Sequence, residues 1–264
     1  MIEVNKTMYI PLYGKALVSR KGVILSDKKA EEIWEKECFP IRGKAKSKYL
    51  AYYMAMRARV FDEWTKEKLS EHPDAAILHI GCGMDSRVLR VGTCAKAWYD
   101  VDFEDVISER KKYYSETGSY FMLAGDVRNI GWLSEIPKNR PAVVIMEGVS
   151  MYLTPDENKR LIRNLSEHFL SVHLLMDAYT VLSAKFTRFA NPVKSVGVLK
   201  TYGIDDPKTL ESQGVIFKKE HEMTPKAYIS ELSGMEKRVF EKLYAGSFSK
   251  KLYRMYEFES AEMI

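Results

Sequence analysis

Short apolar runs alternate with amphipathic stretches through the middle of the chain. Ala75–Ile80, Lys96–Asp102, Ser119–Ala124, Pro141–Glu147 and Val172–Asp177 are each short and nearly continuous in apolar character. Between them, Phe103–Tyr114, Ile130–Glu135 and Pro155–Leu170 carry helical spacing. Near-continuous apolar strands separated by helices predict a mostly parallel sheet covered on both faces. Thr154 as cap, Pro155 at the first helical position and Glu157 three residues after the cap mark a helix start. Leu161, Leu165 and Phe169, with Ile162 beside them, then share one face.

The flanks read differently. Residues 26–72 carry helical signals without strand signals. Ser26 is placed to cap a helix bearing Ala30, Ile33, Trp34 and Cys38, and a longer helix runs from about Lys46 to Glu71. Residues 183–213, with Asn191-Pro192, Gly197, Gly203 and Pro207, break the strand–helix rhythm and read as a partly helical lid. The tail offers a strand at Gly214–Lys218, a helix opened by Thr224-Pro225 and a Tyr/Phe-rich strand over Leu252–Glu259. One domain over 1–264 is expected, with a helical cap at 1–72 and the lid built on.

Composition narrows the classes. Across 264 residues the chain is 46% hydrophobic and 29% charged, which excludes disordered and low-complexity classes. The longest stretch without Asp, Glu, Lys or Arg is Ala75–Met84, about half of what a membrane span needs. No secretory apolar segment opens the sequence, so a soluble, cytoplasmic protein is expected, with no membrane role. Three cysteines, Cys38, Cys82 and Cys94, without a C-x-x-C, support neither a disulfide framework nor a metal site. Lys+Arg of 41 against Asp+Glu of 36 leaves a net charge of +5. Basic residues cluster only over Arg42–Lys48, a solvated face that gives no reason to expect a nucleic-acid partner.

The chemistry concentrates where strands end. Gly81-Cys82-Gly83 follows the first strand and suits a tight turn against a ligand, but Ser86 stands where a dinucleotide fingerprint has its third glycine. Asp102 ends the second strand and is placed to take ribose hydroxyls. Asp100, two residues earlier, shares that face and either shares the role or caps the next helix. Asp126 and Val127 follow the third strand, suited to an adenine, and Glu147 ends the fourth. Ligands of open α/β sheets lie at such ends. Two cofactors fit, a nicotinamide dinucleotide and S-adenosylmethionine. The second needs a cation for its carboxylate, which Arg57 or Arg59 could supply.

These blocks resemble the leucine carboxyl methyltransferase-like family of class I S-adenosylmethionine-dependent methyltransferases. The carriers are Gly81–Ser86 with Arg90, Trp98–Phe103, Ala124–Val127, Glu147–Pro155, and Gly203–Pro207 with Glu211. Thr7–Ala16 with Asp27 and Ala30 is similar to the polyketide-synthesis O-methyltransferase branch. The resemblance implies a Rossmann-like, doubly wound, mostly parallel seven-stranded sheet. It implies S-adenosylmethionine bound by Arg57 (carboxylate), Gly81 to Gly83 (methionine end), Asp102 (ribose), Asp126 and Val127 (adenine) and Glu147 (amino group). Tyr152 would border the acceptor pocket.

No catalytic motif singles out a base. Tyr152 and Tyr179, with His173 and His221, are the pocket candidates, His173 reading as a core residue and His79 as structural. The expected function is methyl transfer to a carboxyl or hydroxyl oxygen, of a small molecule rather than of a protein C-terminus. An NAD(P)-dependent oxidoreductase is the alternative of another class. Oligomeric state is not legible in the sequence.

Overall fold

The computed structural model describes residues 7–37, 39, 41, 43–92, 97–138, 140–189, 200–212 and 214–260. Cys38, Cys94, Asn191, Pro192 and Gly197 therefore lie outside the described residues. Seven strands form one sheet: β1 (Ala76–Ile80), β2 (Ala97–Asp102), β3 (Tyr120–Ala124), β4 (Pro141–Met146), β5 (Ser171–Tyr179), β6 (Val215–His221) and β7 (Tyr253–Ser260). Their order is β3-β2-β1-β4-β5-β7-β6. The first five are parallel, and β7 runs antiparallel between β5 and β6. The order reverses direction at β1, so β1 and β4 flank the crevice where such folds bind ligands.

Ten α-helices stand among the described residues: α1 (Tyr9–Lys21), α2 (Lys28–Glu37), α3 (Lys48–Glu71), α4 (Arg87–Val91), α5 (Glu104–Arg110), α6 (Pro155–His168), α7 (Val181–Phe189), α8 (Lys226–Ile229), α9 (Gly234–Leu243) and α10 (Ser247–Lys250). Strand alternation divides the core. Ile77, Val143, Ile145 and Leu175 face α1, α2 and α3 together with Tyr52, Phe61 and Trp64. Leu78, Val144, Leu174 and Met176 face α6, packing against Leu161, Ile162 and Leu165. α1, α2 and α3 thus cover one face of the sheet, because these helices carry apolar residues that need burial.

Several local expectations gain their physical form here. Thr154 accepts from Glu157 N–H, and the Glu157 carboxylate accepts from Thr154 N–H, a complete capping box. The start of α2 differs from the expectation: Asp27, not Ser26, accepts the Ala30 N–H at 2.9 Å. A carboxylate is the stronger acceptor at a helix N-terminus. Of the proposed lid, α7 and residues 200–212 are described. Tyr202 N–H donates to Met151 O at 2.8 Å and Ile204 N–H to Tyr179 O at 2.7 Å, which fastens this stretch along the ends of β4 and β5. No helix among the described residues is long and apolar enough to cross a membrane.

Candidate active site

A cavity of about 660 Å³ opens at the carboxyl ends of β1 to β5, within the range of small-molecule and cofactor sites. Gly81, Cys82, Gly83, Asp102, Asp126, Val127, Glu147, Arg57, Tyr152 and Tyr179, the sequence-predicted site residues, all border it. The strand order sets them side by side: Asp126 after β3, Asp102 at β2, the glycines after β1, Glu147 after β4, Tyr179 at β5.

Gly81 has a reason to be glycine. Its φ is +67°, and a Cβ there would sit 2.3 Å from Val149 Cγ2. The turn carries the backbone under the cavity. Gly83 N–H donates to Asp102 Oδ2 and Phe103 N–H to Asp102 Oδ1, both at 2.8 Å. Burial still lifts the Asp102 carboxyl to about 6, those two N–H groups offsetting only part of the effect. Asp126 pairs with Arg128 at 2.6 Å at the rim. Cys82 is buried, and burial pushes its thiol well up, so it is an inert wall.

Arg57 is buried on α3 and four of its five N–H groups are committed. Nε and Nη2 donate to Glu147 Oε1 at 3.2 and 2.8 Å, and Nη1 to Asp177 Oδ2 at 2.9 Å and Tyr253 Oη at 2.6 Å. Glu147 also accepts from Arg87. Burial alone would raise Glu147; Arg57, Lys15 and Arg87 outweigh it and hold the carboxylate well below its usual range. Arg59 points elsewhere, to Glu63 and Glu231. Only one of the two arginines faces the site, since two residues along a helix is just over a half-turn.

Asp100, His173 and His221 do not reach the cavity. Asp100 is fully buried, held by Arg110 at 2.5 Å and by Tyr120 at 2.6 Å, and is kept at about 2 because Arg110 and His79 outweigh burial. It neither caps α5 nor borders the cavity. Asp102 reaches the crevice because it ends its strand. His173 stacks on His72 at 4.1 Å near the opposite end of β5, and His221 bonds Glu257 at 2.5 Å; neither borders the cavity. His79 sits between Arg87 and Asp100, each 3.2 Å from a ring nitrogen. Arg87 can only donate, so Nε2 accepts, Nδ1 carries the proton, and burial keeps the ring neutral.

Four site residues were not singled out by the sequence reading. Lys15 borders the cavity, buried, with Nζ 2.8 Å from Asp85. Tyr53 and Tyr253 line it with rings stacked at 6.3 Å, and Tyr179 meets Tyr253 edge-on at 5.0 Å. Asp177 supports it from behind, accepting from Arg57, Tyr253 and the Gly148 N–H. The Lys15 position lies within the Thr7–Ala16 block already singled out, the one signal that pointed to it.

The residues fit S-adenosylmethionine: glycines where a backbone must come close, a half-buried carboxylate at β2, and an arginine with one N–H still uncommitted over the β4 turn. The sheet order and this crevice define a class I S-adenosylmethionine-dependent methyltransferase, and solved structures share the fold. A magnesium protoporphyrin IX methyltransferase from Synechocystis, with bound S-adenosylhomocysteine, aligns at a TM-score of 0.50 and 10% identity over 86% of this chain and 93% of its own. The N-methyltransferase NodS of Bradyrhizobium japonicum aligns at 0.50 and 14% over 78% and 88%. The chain belongs to the leucine carboxyl methyltransferase family, whose profile matches residues 7–166. It is 31% identical over 243 residues to the tetracenomycin polyketide synthesis O-methyltransferase TcmP of Streptomyces glaucescens, 89% of either chain. It is 34% identical over 181 residues to the S-adenosyl-L-methionine-dependent methyltransferase dpfgK of Gibberella zeae, 63% of this chain and 61% of that one. The nicotinamide alternative is thereby set aside: the cofactor is S-adenosylmethionine.

Proposed function

We propose that the protein methylates a carboxylate oxygen of a small molecule. The observation that carries this is an acceptor wall, among the described residues, of tyrosines and a histidine that are not poised as bases. Among the described residues Tyr53, Tyr152, Tyr179 and Tyr253 line it, and burial raises every one of these phenols, so they stay protonated at neutral pH. His79 has both nitrogens engaged. A carboxylate acceptor is ionised already and needs no proton removed, whereas a phenol would. The part that the TcmP name assigns to polyketide synthesis supports a small molecule over a protein tail.

We assign the cofactor contacts from the strand order. Asp126 and Val127 take the adenine end, Asp102 the ribose, and the Gly81–Gly83 turn the methionine stem. Arg57 with Lys15 answers the carboxylate, and Glu147 the amino group. When bound, the cofactor supplies a methyl group made electrophilic by its sulfonium. The chain supplies placement: the β1 turn and Arg57 fix the donor, and the tyrosine wall holds the acceptor in line and away from water. Residues 200–204 along the wall, with the α1 and α3 ends, form the specificity cap. The whole chain acts as one domain.

The test is the chemistry of the product. Incubation with S-adenosylmethionine and an aromatic polyketide acid is expected to give a base-labile methyl ester that releases methanol at high pH. A base-stable methyl ether would sink the carboxylate assignment. Arg57→Ala and Glu147→Ala should each weaken S-adenosylhomocysteine binding by more than about tenfold in titration calorimetry, the size of a lost charged hydrogen bond.

A further inference from the structure

Arg57 and Glu147 belong to a larger buried ion cluster that the cofactor contacts alone do not explain. Lys15 meets Asp85 at 2.8 Å; Asp85 meets Arg87 at 3.3 Å and Arg90 at 2.7 Å. Arg90 continues to Asp27 at 2.7 Å and to Asp62 at 2.6 Å, and Arg87 to Asp62 at 2.7 Å and to Glu147. Arg57 closes the chain between Glu147 at 2.8 Å and Asp177 at 2.9 Å. None of these nine side chains is more than 8% exposed.

Among the described residues the cluster holds four cations and five carboxylates, so one negative charge is in excess. On the side of His79 the cluster meets no further net charge. His79 carries no charge, for the reason given above, and beyond it Asp100 is cancelled by Arg110. Lys15, Arg57, Asp85 and Glu147 bring the cluster to the cavity wall. In a dry interior an unbalanced charge acts at longer range than it would in water. Asp177 is the member with the most to gain from a cationic neighbour: burial raises its carboxyl, and Arg57, shared with Glu147, answers it only in part.

The two forms of the cofactor differ in charge. S-adenosylmethionine carries a sulfonium, an ammonium and a carboxylate, net +1 at neutral pH. After transfer the sulfonium becomes a neutral thioether, and S-adenosylhomocysteine is net zero. We infer that the surplus negative charge of this cluster is a charge sensor that holds the loaded cofactor more tightly than the spent one, so that transfer itself loosens the product. The inference rests on the placement of the methionine end at Arg57 and Glu147 proposed above.

Titration calorimetry without an acceptor tests it, with S-adenosylmethionine and S-adenosylhomocysteine as the two probes. Wild type should prefer S-adenosylmethionine. Asp177→Asn, which removes the excess charge while keeping an acceptor for the Gly148 N–H, should shrink that preference about tenfold, the order expected of one charge in a partly desolvated site. Tyr253→Phe deletes a hydrogen bond to the same carboxylate without changing charge. It should weaken both probes alike and leave the preference intact, a result that a purely structural role for Asp177 would not separate. Asp27→Asn, at the far end of the cluster, gives a second charge deletion if Asp177→Asn does not fold, and should move the preference the same way by a smaller factor. A preference unchanged within about twofold in the folded amide variants overturns the inference and leaves the cofactor placement standing. Wild type that binds neither probe would overturn that placement and the charge sensor with it.

Discussion

Asp102 ends β2 with both carboxylate oxygens on backbone N–H groups, yet burial holds it near 6. The ribose contact proposed above needs the ionised form as acceptor, so affinity is expected to be full well above pH 6 and to fall as pH drops through that value. Between pH 7.5 and 5, S-adenosylhomocysteine should bind about tenfold more weakly, and Asp102→Asn should flatten the profile. Gly81 makes the complementary steric case. Alanine there would take a φ of +67° and strike Val149. Gly81→Ala should cost about 1–3 kcal/mol in urea unfolding. Gly81→Ala with Val149→Ala should recover the part due to the clash and none of the part due to the backbone angle.

At the scale of elements, the Thr154–Glu157 box starts α6 independently of the cavity chemistry. Thr154→Ala should lower stability by about 1 kcal/mol in thermal unfolding and leave the S-adenosylhomocysteine affinity unchanged. That box, the strand ends and the glycine turn were legible because each is written in adjacent residues. Legibility failed where geometry depends on distant segments. Arg57 and Arg59 look alike along α3, and only the packing against β4 and β5 separates the one that meets Glu147 from the one that meets Glu231. Asp100 and Asp102 share a strand face, but Arg110 from α5 covers one and not the other. Tyr53, Asp177 and Tyr253 meet around Arg57 from α3, β5 and β7. Nothing in their own neighbourhoods announces this, since each reads as an ordinary core or strand-end residue.

Over the whole molecule, the buried carboxylates set the response to acid. Burial opposes ionisation at Asp85, Glu147, Asp100 and Glu257, but cations or hydrogen-bond donors outweigh it in each, so all four sit below their unfolded values, Asp100 and Glu257 at about 2. Lowered carboxylates favour the folded state above the unfolded value of about 4, and that contribution drains away as pH falls toward 2. Asp102, shifted upward, works in the opposite sense between about 4 and 6. Urea midpoints should therefore drop steeply below pH 4. The placement of β7 has a consequence in time. It inserts between β5 and β6, and Tyr253 on it completes the hold on Arg57. A growing chain that has released α3 and the first five strands still lacks that hold until residue 253 clears the ribosome. Ligand stabilises a state only as far as it binds it, so the cofactor reaches its full stabilising effect only once β7 is in place.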